Sequence, residues 1–96
     1  MHVEWSVLAI TDREAIFDYI LQDSPKAAVK VDDRIERQVE FLEQFPEMGR
    51  PGRLEHTREL VIQRTPYIVA YRIAGDVVMI LRVLHGAQQW PDQMPL

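Results

Sequence analysis

The run from Val77 to His85 is the stretch of sequence that most constrains the fold. Eight of its nine residues are apolar or histidine, and Arg82 is the exception. A run that is apolar on both alternating faces predicts a strand covered on both sides, although a buried helix has the same pattern. The β-branched residues, together with the Gly75-Asp76 turn before the run, favour a strand. Arg82 then needs an explanation, because a guanidinium in such a strand requires a partner.

The composition indicates one small globular domain. The chain has 96 residues, of which 47% are hydrophobic, and this predicts a single domain over residues 1–96. It contains no cysteine, so disulfides and thiolate metal sites are excluded. No apolar stretch approaches the roughly 20 residues needed to cross a bilayer, and the N-terminus lacks the pattern of a signal peptide. We therefore expect a cytoplasmic protein with no membrane association.

The net charge of −4 is unevenly distributed. Residues 1–48 carry five basic and eleven acidic side chains, whereas residues 49–96 carry six arginines and four acids. Arginine suits bidentate recognition of phosphate or carboxylate, although six surface arginines also simply favour solubility. An acidic protein is a poor indiscriminate binder of nucleic acid. Any contact with phosphate is therefore expected to be local.

The first part of the chain predicts a strand and a helix. Apolar and polar residues alternate from His2 to Leu8, which predicts a strand with one buried face. Thr11 and Glu14 have the T-x-x-E spacing of a capping box, so a helix is predicted to begin at Thr11. The buried stripe of this helix is predicted to consist of Ile16, Tyr19, Ile20 and Phe17.

A second helix is predicted from Pro25 to Phe45. Ser24 is expected to cap it, and proline is tolerated at the first helical position because its missing N–H needs no partner there. Apolar residues recur at intervals of three and four, and the charged residues between them are typical of a solvated face. The short link between the two helices predicts an antiparallel hairpin.

The remaining chain predicts a long loop and three strands. Turn-forming residues extend from Pro46 to about Thr57, and a loop of this length is often functional. The strands are predicted at Arg58–Arg64, Tyr67–Ile73 and Val77–Leu84. Beyond them, Trp90 is expected to pack the polar C-terminal tail against the domain.

The predicted fold class is α+β. Its element order is β-α-α-β-β-β, a mainly antiparallel sheet with the helical hairpin packed on one face. With both helices on one side, nothing in the sequence is predicted to cover the opposite face of the sheet. An uncovered apolar face predicts a binding partner.

Four residues on or near the last three strands are candidates for catalysis. Arginines neutralise a phosphodiester and a histidine moves a proton, so these are His85, Arg82, Arg72 and Arg64. No phosphate-binding glycine loop and no metal-ligand spacing is present, so neither a cofactor nor a metal is expected. Residues 82 and 85 are an odd number apart, which places them on opposite faces of a regular strand. The structural alternative is that Arg82 pairs with an acid such as Glu59 or reaches a chain terminus, and that His85 caps the strand.

Four segments of the sequence, together with the element order, resemble the RelE/ParE superfamily of bacterial type II toxins. The segments are Phe45–Arg50, Thr57–Leu60, Tyr67–Ile73 and Ile80–Gly86. The resemblance implies a small cytoplasmic toxin that forms a hetero-oligomer with a cognate antitoxin. The C-terminal segment of the antitoxin is then expected to wrap the sheet and the helical hairpin.

The two branches of this superfamily differ in target: RelE-like members are ribosome-dependent mRNA endoribonucleases, and ParE-like members inhibit DNA gyrase. His85 matches a terminal-strand histidine of RelE-like relatives of the YoeB type. However, Tyr67 and Gly52 stand where those relatives carry a strand arginine and a loop glutamate. Lys26 and Lys30 fall on the second helix, so the lysines used by RelE have no counterpart.

The resemblance therefore favours a ParE-like gyrase inhibitor that acts by binding and is not an enzyme. The first alternative is a ribonuclease with a reduced set, in which His85 is the acid or base and Arg64, Arg72 and Arg82 hold phosphate. The second is a degenerate toxin that retains only antitoxin binding.

Overall fold

A computed structural model describes residues 1–95, which form two helices on one five-stranded sheet. The helices are α1 (Val7–Leu21) and α2 (Pro25–Glu40), and a 3-10 turn at Phe41–Glu43 follows α2. The strands are β1 (His2–Trp5), β2 (Arg50–Pro51), β3 (Arg58–Val61), β4 (Tyr67–Ala74) and β5 (Val77–His85). Their order in the sheet is β1-β5-β4-β3-β2, and only the β1–β5 pair within residues 1–95 is parallel. This confirms the predicted α+β class.

Helix α1 begins earlier than the sequence predicts. Ser6 is its N-cap, and the Ser6 hydroxyl accepts the Ala9 N–H at 3.0 Å. Thr11 lies inside the helix, where its hydroxyl donates to the Val7 carbonyl. The predicted strand to Leu8 and the predicted helix start at Thr11 are therefore wrong. Both serine and threonine are good caps, and Ser6 caps α1 because β1 ends at Trp5.

The helical hairpin is antiparallel, as predicted. Arg13 of α1 contacts Asp32 and Glu36 of α2, at 2.9 and 3.1 Å, while the chain reverses after Leu21. Ser24 caps α2 and accepts the Ala27 N–H. Tyr19 was predicted to be buried but is 69% exposed, since α1 is apolar on all sides and periodicity does not mark its inner face.

The main core lies between the hairpin and one face of the sheet. On the helical side, this core contains Ile35 and Val39 of α2 and Leu42 of the 3-10 turn. They face the sheet residues Tyr71 of β4 and Ile80 of β5, and all five side chains are buried. The other members of this core are Ala9, Leu60, Ile62, Tyr67, Val69, Val78 and Val83. Val3, Trp5, Ile16 and Ile20 pack against its margin. The apolar face predicted for β1 therefore packs against the core.

The opposite face of the sheet is also buried, contrary to prediction. Ile68, Ala70, Leu81 and Leu84 are at most 7% exposed, although none of them belongs to the core under the helices. The loop after β2 and the C-terminal segment lie over this face, and both line a cavity with Leu81. The sequence pattern missed this cover because the covering segments are irregular and lack periodicity.

The C-terminal segment is held against the domain by Trp90, which confirms the role predicted for it. Its indole N–H donates to the His85 carbonyl at 3.4 Å. The Arg53 guanidinium lies 3.8 Å from the centre of the Trp90 ring, a cation–π contact between the loop after β2 and the tail.

Strand β2 was not predicted. It is only two residues long and pairs with Arg58 and Glu59 of β3. Gly49 precedes it, and a Cβ there would lie 2.6 Å from the Tyr71 hydroxyl, so this close approach requires glycine. Neither helix formed by residues 1–95 combines the length and apolar character needed to span a membrane.

Candidate functional site

Arg82 is bound by Asp12 of α1. The guanidinium donates to the two carboxylate oxygens at 2.7 and 3.0 Å, and the Val83 N–H donates to the same carboxylate at 2.9 Å. These hydrogen bonds raise the pKa of Arg82 above its ordinary value. The structural alternative, in which Arg82 pairs with an acid, is therefore confirmed, but the acid is Asp12 and not Glu59.

The end of β1 explains why Asp12 is the partner. The parallel pairing of β1 with β5 stops at Trp5 and Ile80, and the chain then turns into α1. Beyond Ile80, the backbone groups of β5 that point away from β4 have no β1 residue beside them. Side chains of α1 and of its N-cap bind these groups instead. Accordingly, the Leu81 carbonyl accepts the Ser6 hydroxyl at 2.9 Å, and the Val83 N–H is bound by Asp12.

His85 stabilises the end of β5 through its backbone and its ring. The ring Nδ1 accepts the Ala87 N–H at 3.0 Å, so the ring proton of the neutral imidazole lies on Nε2. The His85 N–H donates to the Gln88 side-chain oxygen at 2.7 Å. The ring also packs edge-on against Tyr67, with centroids 5.6 Å apart, and burial raises the pKa of Tyr67. The Nε2 atom is thus the ring nitrogen available for other contacts.

Arg82 and His85 point to opposite faces of the sheet. Arg82 is paired with Ala70 and His85 with Tyr67, three residues apart on β4. The register of the β4–β5 ladder shifts at Ala70/Tyr71, before Arg82, so the strand is regular between the two residues. The odd spacing in the sequence predicted this outcome.

Arg72 and Arg64 lie apart from the other two candidates. Arg72 lines the cavity under the C-terminal segment, and its Nε is buried without a partner among residues 1–95. Arg64 is exposed in the turn after β3, with a φ of 65°, and its carbonyl accepts a hydrogen bond from Arg34. The structure therefore does not gather the four candidates on one surface.

Glu59 is a buried charge that the sequence indicated only as a partner for Arg82. It is 2% exposed and accepts hydrogen bonds from the Arg53 N–H at 2.7 Å and from Arg50 at 3.1 Å. Its place in a predicted strand, directly before the apolar residues Leu60 to Ile62, was the available signal, since a carboxylate buried there must be paired. Within residues 1–95, no group of three or more histidine, aspartate or glutamate side chains is arranged to hold a metal ion.

A helical hairpin on one face of this sheet, with β1 parallel to β5, is the α+β architecture of the RelE/ParE superfamily. The family model described as the ParE toxin of the type II toxin-antitoxin system, parDE, matches residues 3–90. The chain belongs to this ParE toxin family.

Individual relatives agree with this assignment. The protein Y4kP of Sinorhizobium fredii, which is named as a toxin, is 46% identical over 90 residues, covering 94% of this chain and 93% of that protein. Toxin RelE2 of Caulobacter vibrioides is 38% identical over 86 residues, covering 90% of this chain and 96% of that one. A solved chain from the chromosomal ParDE toxin–antitoxin system of P. aeruginosa has a TM-score of 0.81 and 32% identity. It aligns with 88% of this chain and 95% of its own length.

Proposed function

We propose that this chain arrests growth by binding and inhibiting DNA gyrase in the cytoplasm and that a cognate antitoxin neutralises it. The observation that carries the proposal is the dispersal of the four ribonuclease candidates. Arg82 is committed to Asp12, and Arg72 lines the cavity on the face opposite His85. A phosphodiester bound near His85 would therefore lack both of these arginines, which supports inhibition by binding over catalysis.

An antitoxin partner is supported by the similar fold from a ParDE toxin–antitoxin system. Large apolar side chains exposed on the helical hairpin and just beyond it also support a partner, because such surface is costly to leave in water. The second face of the sheet is already covered by the chain itself. We therefore place the antitoxin segment against the hairpin and the edge of the sheet.

Ribosome-dependent mRNA cleavage is the second candidate. It is supported by the Nε2 of His85, which makes no hydrogen bond within residues 1–95, and by the name of the relative RelE2. In that case His85 is the proton-transfer residue, and Arg64, at the same end of the sheet, contacts phosphate. Arg72 and Arg82 would have to move to join them.

Growth arrest and two biochemical assays distinguish these functions. The toxin is induced alone and with the antitoxin encoded by the adjacent gene, and purified toxin is added to a gyrase supercoiling assay. We expect arrest that the antitoxin relieves, inhibited supercoiling and intact mRNA. Cleavage of mRNA in the ribosomal A site without gyrase inhibition would establish the ribonuclease, and unimpaired growth would leave only a degenerate toxin.

Substitution of histidine tests the role of the proposed acid or base. His56→Ala is the matched control, because His56 is 88% exposed in the loop before β3. We expect both His85→Ala and His56→Ala toxins to arrest growth. Loss of toxicity in His85→Ala alone, with folding and antitoxin binding retained, would contradict gyrase inhibition by binding.

A further inference from the structure

The outer edge of β3 has one open position. The Ile62 N–H donates to the Tyr67 carbonyl of β4 at 3.0 Å, so the backbone groups of Val61 and its odd-numbered neighbours point away from β4. Glu59, on one side, pairs with Arg50 of β2. Val61 comes next, and its N–H and carbonyl have no partner among residues 1–95.

Gln63, the next outward position, is paired with a side chain of α2. The Gln38 amide oxygen accepts the Gln63 N–H at 2.8 Å, and the Gln38 amide nitrogen donates to the Gln63 carbonyl at 3.3 Å. A carboxamide thereby makes the two hydrogen bonds that a neighbouring strand would make. Because both hydrogen bonds are exposed to solvent, such a pairing contributes little net free energy and is easily exchanged for another amide.

An apolar wall stands beside this edge. A groove of about 620 Å³ lies between α2 and β3. Four large apolar residues that line it are about half exposed: Phe41 (55%), Phe45 (56%), Met48 (47%) and Val61 (47%). In a strand placed beside Val61, side chains alternate between the two faces of the sheet. The residues on either side of the one opposite Val61 would therefore face Phe41 and Phe45.

Two arginines, Arg34 and Arg64, lie just beyond the end of the groove that is lined by Gln38 and Gln63. Arg34 precedes Gln38 by one helical turn, and its guanidinium lies 3.3 Å from the carbonyl of the exposed Arg64. No carboxylate of residues 1–95 lies within ion-pair distance of either arginine. The charge and the apolar wall together complement an extended segment that has alternating apolar residues and an acidic residue at one end.

We propose that an extended segment of the antitoxin adds to the sheet as a strand beside β3, pairing with Val61 and displacing the Gln38 carboxamide from Gln63. Its apolar side chains pack on Phe41, Phe45 and Met48, and its acidic end pairs with Arg34. Main-chain hydrogen bonds to an open strand edge, with pockets for alternate side chains, are a general mode of peptide recognition. This inference rests on the proposed antitoxin partner and adds the site and conformation of binding.

Amide hydrogen exchange in the full-length toxin, with and without the full-length antitoxin from the adjacent gene, tests the pairing directly. We expect the Val61 amide to exchange rapidly in the free toxin and to slow by about tenfold or more in the complex. The Gln63 amide is protected in both states. A tight complex in which the Val61 amide still exchanges rapidly would overturn strand addition but leave the antitoxin partner intact, whereas no binding at all would overturn both.

Charge reversal tests the contribution of Arg34. Arg34→Glu is expected to weaken antitoxin binding by about tenfold. The matched control is Lys30→Glu, an exposed position one turn earlier on α2. If the two variants bound the antitoxin with equal affinity, the proposed pairing of the acidic end of the segment with Arg34 would be contradicted. A Phe41→Ser variant, with Val29→Ser as its exposed apolar control, is expected to weaken binding to a similar extent.

Removal of the competing side chain gives the most specific result. Because the antitoxin strand must displace the Gln38 amide, Gln38→Ala is expected to bind the antitoxin more tightly than the unaltered toxin does. If Gln38 were an ordinary contact residue, the same substitution would weaken binding and overturn the displacement. Folding of each variant is checked by circular dichroism before binding is compared.

Discussion

Asp12 and Arg82, 70 residues apart in the sequence, form a two-hydrogen-bond ion pair that closes the edge of β5 where β1 ends. The carboxylate also takes the Val83 N–H, so one side chain neutralises a charge and satisfies the strand. At the opposite edge of the sheet, the Gln38 side chain of α2 likewise satisfies the backbone N–H and carbonyl of Gln63. Side chains of the helical hairpin thus replace missing strands at both edges.

Asp12→Ala is expected to destabilise the protein strongly, because it leaves Arg82 and the Val83 N–H without their partner. The two side chains are only 14% and 22% exposed. We expect the free energy of unfolding to fall by about 2–4 kcal/mol, measured by urea denaturation. Asp18→Ala, at an exposed position of the same helix, is the control and should change stability by less than about 0.5 kcal/mol. Similar values for both variants would mean that the ion pair contributes little.

Ser6→Ala is expected to lower the free energy of unfolding by about 1–2 kcal/mol, since the Ser6 hydroxyl both caps α1 and donates to the Leu81 carbonyl. Thr11→Ala should be close to neutral, because the Thr11 hydroxyl bonds only within the exposed surface of the helix. Thermal unfolding of the two variants provides the comparison. A larger loss in Thr11→Ala would favour the capping box that the sequence alone predicted.

Glu59→Gln is expected to lower stability by about 2 kcal/mol, because a buried amide cannot replace the carboxylate that binds Arg50 and the Arg53 N–H. Glu55→Gln, at a side chain that is 89% exposed, is the matched control. Proteolysis of the loop after β2 measures the local effect and should accelerate only in Glu59→Gln. Unchanged proteolysis would show that the loop is held by other contacts.

Tyr71→Phe is expected to lower stability at neutral pH by about 1–3 kcal/mol. The Tyr71 hydroxyl donates to the Pro46 carbonyl at 2.7 Å and accepts the Gly49 N–H at 2.9 Å, and both groups would lose a partner. Tyr67→Phe is the control, because no hydrogen bond involves the Tyr67 hydroxyl among residues 1–95. It should be nearly neutral at pH 7 in the same denaturation experiment.

The pH dependence of the Tyr71→Phe effect has a definite sign. Burial raises the pKa of Tyr71 above its ordinary value, so the folded protein favours the protonated phenol. The stability that this contributes is fully present below the unfolded pKa of about 10 and is lost as the pH rises through the folded pKa. The difference between the unaltered protein and Tyr71→Phe should therefore narrow above about pH 10. A difference that widens there would contradict the assignment.

Much of the fold could be predicted from local patterns. The strand at Val77–His85, the second helix after Ser24 and the tight turn before Asp76 follow from apolar periodicity, capping and turn residues. The predicted start of α1 was wrong because Ser6 and Thr11 are equally good N-cap residues when judged by residue type alone. Strand β2 was missed because two residues carry no periodicity, and they form a strand only beside Arg58 and Glu59.

The candidate site was less predictable than the fold. The sequence supplied His85, Arg82, Arg72 and Arg64 as residue types, and the odd spacing correctly separated Arg82 from His85. It could not supply Asp12 as the partner of Arg82, because no local pattern connects positions 70 residues apart. Nor could it identify Val61 as an open strand position, since that depends on where β2 ends and where Gln38 lies.

The sequence by itself determined that Val77–His85 is a strand with apolar residues on both faces and that its arginine needs a partner. Those conclusions depend on local periodicity and on the cost of an unpaired buried charge, both of which are carried by the chain itself. Only the tertiary structure decided what covers the second face, which acid binds Arg82 and which edge of the sheet remains open. These depend on long-range packing, because the same side chain can pair with any complementary group that the fold brings within hydrogen-bond distance.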